Sequence, residues 1–498
     1  MEIEQTGDRP RLCEYRISFT PPNRLRYTGA FLKLKAMKNF LLLICLTLLF
    51  TRCGKDFLDI KRDSNQVVPN KISDYLAILS RINMLSTSQD LAFVGSDEYY
   101  LKSNEDLVAL SFYSPYLKNA YTWENIIFRD DEDHYGWYTA YEKIMYANLA
   151  LEVEKLNPAP QEIEDQNQVR VAARFHRALN FYHLAQQFCE VYDPNTAKER
   201  LGLQLRTDYD VSVRYGRSNL QQVYDMILND LHEAENIPLN TGDNIYVPGK
   251  LATQALLARV YLQMGEFDKA LGYAEKVLAK KNTIIDYNTV DGELSDYDGS
   301  LFELGGKNNP SIIFFLRCSF SNTLNPSRSS IDTAILKQFE ENDLRGKIYF
   351  FRTEDDRTVF TGSYAGDGAY QYFTGLSTEE MLLIRAECNA RKKNKDLVIR
   401  DLNLLRSHRF SDYQPIPENS NEVNDLVDLV LKERRLELFM RGFRWEDARR
   451  LNREGKYKIS FARSLEGELT ELLPESKRWI WPIPTIEINR SGIEQNAR

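Results

Sequence analysis

Two groups of side chains in this sequence could hold a ligand without covalent chemistry. Asp97-Glu98-Tyr99-Tyr100, with Trp123 downstream, forms one group. Tyr364, Asp367, Tyr370, Tyr372 and Phe373, set among glycines, form the other. A flat aromatic ring is a platform for the apolar C–H face of a sugar, and Asp, Asn or Arg can bond its hydroxyl rim. Covering roughly 40–50 Å² per platform contributes about 1 kcal/mol, so several contacts must act together on a chain-like ligand. The plainer reading is that these aromatics pack onto neighbouring helices as core.

Other candidates are weaker. Asp131–Glu142 places acids at positions 1, 3 and 12 of a calcium-loop pattern and Gly136 at position 6. Tyr135 stands where an oxygen ligand belongs, and the second half reads equally as the start of a helix. His176 and His183 are seven apart on one helical stretch, too far to share a metal unaided, and suit one packed and one solvated residue. HExxH, GxSxG and GxxxxGK[ST] are absent, and no pattern selects a catalytic carboxylate pair. No enzyme activity, metal or cofactor is expected.

The composition narrows the partners. The chain has 498 residues, 64 Lys+Arg against 72 Asp+Glu, and a net charge of -8. With a pI near 5.5, nucleic acid is not an expected partner. Mean hydropathy is -0.46. One run departs from that average, Phe40–Phe50, FLLLICLTLLF. Eleven helical residues reach only ~16 Å, about half a bilayer core, so the run does not span. Lys38 precedes it and Cys53 follows, which is the layout of an export signal. Residues 1–36 read as an upstream extension with Met37 as initiator, and 37–52 as the signal peptide. Leu49-Phe50-Thr51-Arg52-Cys53 resembles a bacterial lipobox with Arg52 in a position usually held by a small residue. Lipidation at Cys53 would tether the chain through acyl groups. Residues 1–52 carry nine basic and four acidic side chains, so the chain from Cys53 onward has a net charge of -13. Anionic lipid would repel that surface, leaving the anchor to hold it. Cys189, Cys318 and Cys388 lack CxxC spacing and read as buried small hydrophobes.

The scaffold that must position the aromatic groups is helical. Leu251–Lys280 has an apolar stripe at Phe267, Ala270, Leu271, Ala274, Val277 and Leu278, with small residues before it and Gly265 between the halves. This is the tetratricopeptide helix-turn-helix pattern, which needs partners to bury its face. Trp137–Leu156, Gln168–Tyr192 and Asn219–Glu235 read as further amphipathic helices, and Thr378–His408 as a pair broken at Lys392–Lys395. About four such pairs are expected, spread along the chain. Between them, Leu85–Phe128, Asn236–Gly249, Asp286–Pro326 and Phe350–Leu376 suit long loops and short hairpins, where binding groups usually sit.

Four motifs give the chain a family resemblance. The first is Cys53-Gly54-Lys55-Asp56-Phe57-Leu58-Asp59. The second is Ala172-Ala173-Arg174-Phe175-His176-Arg177-Ala178, running to Phe181-Tyr182. The third is Glu433-Arg434-Arg435-Leu436-Glu437-Leu438-Phe439 with Gly442, Arg444-Trp445, Asp447 and Arg449-Arg450. The fourth is Trp481-Pro482-Ile483-Pro484 with Glu487-Ile488 and Gln495-Asn496. In this order they resemble the SusD/RagB family of surface nutrient-binding lipoproteins. The tail departs from the pattern at Asn496-Ala497-Arg498.

The resemblance implies a mainly α fold with tetratricopeptide-type helix pairs, long irregular loops and minor β-hairpins over residues 53–498. An N-terminal part would run to about 300 and a C-terminal part from about 301. It also implies a lipid-anchored, cell-surface protein of the outer membrane. Such a protein takes up an oligosaccharide, or a peptide, and delivers it to a SusC-like TonB-dependent barrel transporter. The residues themselves also admit a tetratricopeptide scaffold that binds only proteins, and a surface hydrolase.

The third motif is charged, yet reads as structural. Glu437 and Arg441 would pair at i, i+4, worth ~0.3–0.5 kcal/mol on a helix. Leu436, Phe439, Met440 and Phe443 would be buried. Trp479 and Trp481, with the neighbouring prolines, read as a stiff tail packed on the body.

Overall fold

A computed structural model describes residues 69–240, 244–319, 322–417 and 425–498. The expected extension, signal peptide and lipidated Cys53 lie outside the described residues. In chain order, the first half contains α1 (Ile72–Leu79), α2 (Asp90–Val94), β1 (Tyr99–Leu101), α3 (Asn104–Tyr113), α4 (Pro115–Tyr121), α5 (Tyr135–Leu151), α6 (Ile163–Phe188), α7 (Leu220–Asn236), α8 (Lys250–Met264) and α9 (Phe267–Leu278). Next come β2 (Ile312–Phe314), β3 (Arg317–Ser319), β4 (Ser329–Ile331), α10 (Thr333–Leu336), α11 (Leu344–Ile348), β5 (Phe350–Arg352), β6 (Thr358–Phe360), β7 (Gln371–Phe373) and β8 (Leu376–Ser377). The rest is α12 (Thr378–Arg391), α13 (Lys395–Ser407), α14 (Leu426–Glu437), α15 (Phe443–Arg453), β9 (Phe461–Leu465), β10 (Glu468–Leu472) and α16 (Thr485–Ser491). The fold is mainly α, as expected.

The helices form a continuous packed series. α5 lies on α6, α6 on α7, α7 on α8, α8 on α9, α9 on α12, and α12 on both α13 and α14. α6 is the hub, contacting α1, α5, α7 and α8. Ala172, Ala173, Ala178 and Ala185 along it are buried, and small side chains permit close approach on several faces. His176 and His183 are therefore both buried, correcting the expectation that one is solvated. Burial lowers both, His176 to about 3, so each sits neutral in the core.

The tetratricopeptide pair is α8 and α9. Gly265 takes φ +80°, and its N–H and that of Glu266 close the last turn of α8 onto Leu262 and Tyr261 carbonyls. The pair α12–α13 breaks where expected, with Lys393 at φ +62°. Leu85–Phe128 is more ordered than a loop reading implies. Ser103 caps α3 by accepting from Asp106 N–H, and Pro115 opens α4 at a position that needs no donor.

The strands are short and all pair antiparallel, in five two-stranded sheets among the described residues. Only β5–β6 and β9–β10 are hairpins of neighbours in sequence. β1–β4, β2–β8 and β3–β7 tie distant segments together.

The charged C-terminal motif is structural, by a different geometry from the one expected. α14 ends at Glu437, and Met440 and Gly442 take φ +54° and +83°. The helix needed for a Glu437–Arg441 pair has thus ended. Glu437 instead accepts from Arg345 and Arg409, and Arg441 lies over the Tyr364 ring at 4.2 Å. Glu433 accepts from Arg345 and Arg406, and Glu387 from Arg450 and Arg391. Burial alone would raise both glutamates, but the guanidinium groups beside them hold both near 2. Leu436, Phe439, Met440 and Phe443 are buried, and Trp445 stacks on Trp481 at 5.0 Å. The three cysteines at 189, 318 and 388 are buried and free.

Candidate functional site

The first aromatic group is mostly interior. Tyr99 and Trp123 are 1% and 0% exposed. Trp123 donates its indole N–H to Gly95 O at 3.1 Å, and Tyr99 its hydroxyl to Val94 O at 3.0 Å. The Arg463 guanidinium lies over both rings. Asp97 accepts from Arg444 through both oxygens, at 2.6 and 2.7 Å, and from Arg435 at 3.2 Å. Burial would raise its pKa, but the two arginines hold it below the usual carboxylate range. Glu98 is buried, accepts from Met440 N–H, and is pushed up by that burial to about 7. Tyr100 alone of the aromatic residues here is half-exposed. In this structure Tyr99 and Trp123 have no ring face free for a ligand, because remote segments already cover them.

The second group divides. Tyr364, Tyr372 and Phe373 are buried. Tyr364 donates to Glu379 at 3.0 Å, beneath Arg441, and Glu379 also accepts from Arg409 at 2.9 Å. Tyr372 stacks on Phe93 with centroids 5.2 Å apart. Asp367 and Tyr370 stay accessible on the loop above them.

That loop is docked onto another. Ala369 N–H bonds Tyr297 O at 3.1 Å, and Gly305 N–H bonds Ala365 O at 2.8 Å. Gly366 and Gly368 take φ +70° and +53°, and a Cβ on either would strike the backbone at Glu303 or Asp298. Glycine is therefore required where the two loops meet. β3 pairing with β7 fixes the base of the junction.

The result is an aromatic edge on a rigid support. Tyr297 and Tyr370 meet with centroids 6.5 Å apart at 63°, and Tyr370 donates to Asp298 Oδ1 at 2.8 Å. Partial burial, then the Asp298 carboxylate, pushes the Tyr370 phenol up to about 12, so it stays protonated and serves as a fixed donor. Asp296, Asp298, Glu303, Asp291 and Glu293 are exposed around it, with Lys307 the lone cationic side chain of the two loops. The same loop borders a cleft of about 340 Å³ that includes Asp291, Leu301, Glu303 and Asn308. The arrangement offers two partly open rings and several acceptors, with the exposed Lys307 far outnumbered by carboxylates. Tyr297 and Asp298 were missed as individual residues in the sequence, although the irregular Asp286–Pro326 stretch that holds them was picked out.

The other candidates resolve as follows. The calcium-like segment does not wrap, because Tyr135–Glu142 is already α5, capped by His134 Nδ1 accepting from Trp137 N–H. Glu132 is spent on the N–H groups of Tyr116 and Arg129. No group of three His, Cys, Asp or Glu placed to hold a metal occurs among the described residues. A cleft of about 520 Å³ is lined by Ile245, Val247, Leu251, Ile312 and four lysines, with no aromatic platform among its described residues. No described helix is long and apolar enough to cross a membrane.

Comparison with known proteins places these features in a wider set. Residues 56–262 match the family described as "Starch-binding associating with outer membrane", and residues 364–497 match the SusD family. SusD-like protein P38 of Formosa agariphila is 24% identical over 344 residues, which is 56% of this chain and 65% of that protein. The match thus spans just under two thirds of that relative's length. A SusD superfamily protein from Bacteroides fragilis shares the fold at 21% identity and a TM-score of 0.64, over 85% of this chain and 98% of that one. A structure described as a laminarin binding SusD-like protein aligns with a TM-score of 0.57 and 16% identity, over 85% and 98%.

Proposed function

The chain belongs to the SusD/RagB family, and on that premise we propose that it is a surface lipoprotein, anchored at Cys53 to the outer membrane, that captures a neutral oligosaccharide and delivers it to a SusC-like TonB-dependent transporter. It binds its ligand without altering it. The observation that carries the ligand reading is the Tyr297–Tyr370 edge held over fixed acceptors. A sugar ring stacks on such an edge and donates its hydroxyls to Asp298, Asp296 or Asp367. The surrounding acids argue for an uncharged glycan, since a uronate or sulfated chain would meet like charge that the single Lys307 does not offset. The starch-binding description of the matched family and the laminarin-binding neighbour both point to neutral glucans as first probes.

The same acids favour a second reading, a basic peptide. Isothermal titration of the full chain with maltoheptaose, laminarin and a lysine-rich peptide separates the two. The glycan reading expects heat from a glucan that is insensitive to salt. Binding only to the peptide, weakened by salt, would replace it.

A further inference from the structure

A separate cleft is lined along one side by α5. Tyr138, Tyr141, Glu142 and Met145 fall at i, i+3, i+4 and i+7, so they line one stripe of the helix. Trp137 beside them is buried edge-on against Phe188 at 4.9 Å and fixes the start of that helix. The facing wall is the chain from Gln204 to Val211. It is pinned to α5 by Tyr141 donating to Gln204 O at 3.2 Å, and by Asn148 donating to Arg206 O at 3.0 Å and Asp208 O at 2.9 Å. Glu487 and Arg490 of α16 close the third side. The enclosed volume is about 250 Å³, enough for a sugar ring but not for a folded partner.

The lining has a specific chemistry. Tyr138 is 56% exposed and lines the cleft, whereas Tyr135 one turn before it, 73% exposed, does not. Tyr138 leaves a flat ring at the mouth. Glu142 and Glu487 are acceptors and Arg206 and Arg490 donors around it. An apolar molecule would strip water from these charged groups and offer them no hydrogen bonds in return. An anion would meet three carboxylates, Asp133 included, against two guanidinium groups. A polyhydroxylated ring satisfies both, with its C–H face on Tyr138 and its rim between acid and base.

We propose that this cleft is a second glycan subsite, with Tyr138 as its platform and Arg206, Glu142, Glu487 and Arg490 as its rim. The proposal rests on the neutral-glycan reading above, and the cleft shares no residue with the Tyr297–Tyr370 edge. Two weak subsites on one receptor would raise the avidity for a polymer above that for a short oligosaccharide whenever the linking chain can span them.

The test is isothermal titration of the full chain with maltoheptaose and with a laminarin oligosaccharide, for wild type, Tyr138→Ala, Tyr297→Ala/Tyr370→Ala and the triple variant. An unchanged circular dichroism melting curve for Tyr138→Ala, whose side chain is exposed, confirms folding. Two binding events in wild type, one in each of the first two variants and none in the triple variant are expected. An Arg490→Ala variant should weaken the event that survives the double substitution by at least fivefold. If wild type shows one event, abolished by the double substitution and unmoved by Tyr138→Ala, the second subsite is refuted while the loop site stands. If one event is lost with Tyr138→Ala and unmoved by the double substitution, the cleft is the site and the loop reading fails. Failure of wild type to bind either glucan refutes the glycan reading and the subsite with it.

Discussion

The Tyr370 hydroxyl donates to Asp298 Oδ1 at 2.8 Å, across two loops that lie 72 residues apart in sequence. This bond, with the backbone contacts beneath it, turns two irregular stretches into one preorganised surface. A surface fixed before the ligand arrives loses less entropy on binding.

Removing the platform should cost binding and not folding. Tyr297→Ala combined with Tyr370→Ala is expected to weaken a bound neutral glucan tenfold or more, equivalent to about 1.4 kcal/mol. Tyr370→Phe keeps the ring but frees Asp298, and should lose about threefold, as expected for one hydrogen bond of modest net worth. Titration calorimetry beside a thermal melt checks both.

The buried aromatics should behave in the opposite way. Trp123 is wholly buried, and Trp123→Ala is expected to destabilise by about 3–5 kcal/mol. Arg409→Ala leaves Glu379 and Glu437 without a shared partner, at about 3–5 kcal/mol. It also removes the partner of the carboxylate that holds Tyr364 under the site. Urea unfolding measures both. A variant of either kind that unfolds like wild type would contradict this core assignment.

Stability should respond to pH through Glu446. Burial raises it to about 7 from an ordinary 4.5, although Tyr182 and Gln89 both donate to it. Between those values the folded state binds more protons than the unfolded one, so Glu446 makes stability fall as pH rises. His176 and His183, lowered by burial from 6.5, push the other way below that pH. Glu446→Gln removes one side of this balance. Relative to wild type it should gain stability as pH goes from 5 to 8 in urea melts. A constant difference across that range would contradict the assignment.

Charge should set selectivity. With Asp291, Glu293, Asp296, Asp298, Glu303 and Asp367 around the loop site, a sulfated or uronate polymer is expected to bind more weakly than a neutral glucan of similar length. Added salt should narrow the gap by screening the repulsion. Affinity electrophoresis at two ionic strengths reads this directly.

Much of the frame was legible from sequence. The α8–α9 pair, the break at Lys392–Lys395 and the Asn219-capped α7 follow from local periodicity and cap chemistry, which act over a few residues. The site was legible only as two candidate stretches. Whether a tyrosine there is platform or core depends on partners far along the chain. Phe93 covers Tyr372, Glu379 and Arg441 hold Tyr364, and Gly95 with Phe461 encloses Trp123. No local pattern carries that information. Tyr370 differs from Tyr364 and Tyr372 in staying partly exposed, and its neighbour Tyr297 arrives through a long-range loop docking.

Capture of a neutral glucan on the Tyr297–Tyr370 edge can be read by titrating the full chain, and its Tyr297→Ala/Tyr370→Ala variant, with laminarin and maltoheptaose under identical buffer. Wild type is expected to bind at least one of these neutral glucans, and the doubly substituted protein, equally folded, to lose tenfold or more of the affinity. Equal affinity in the two proteins, or no binding of either glucan by wild type, would contradict capture at this edge.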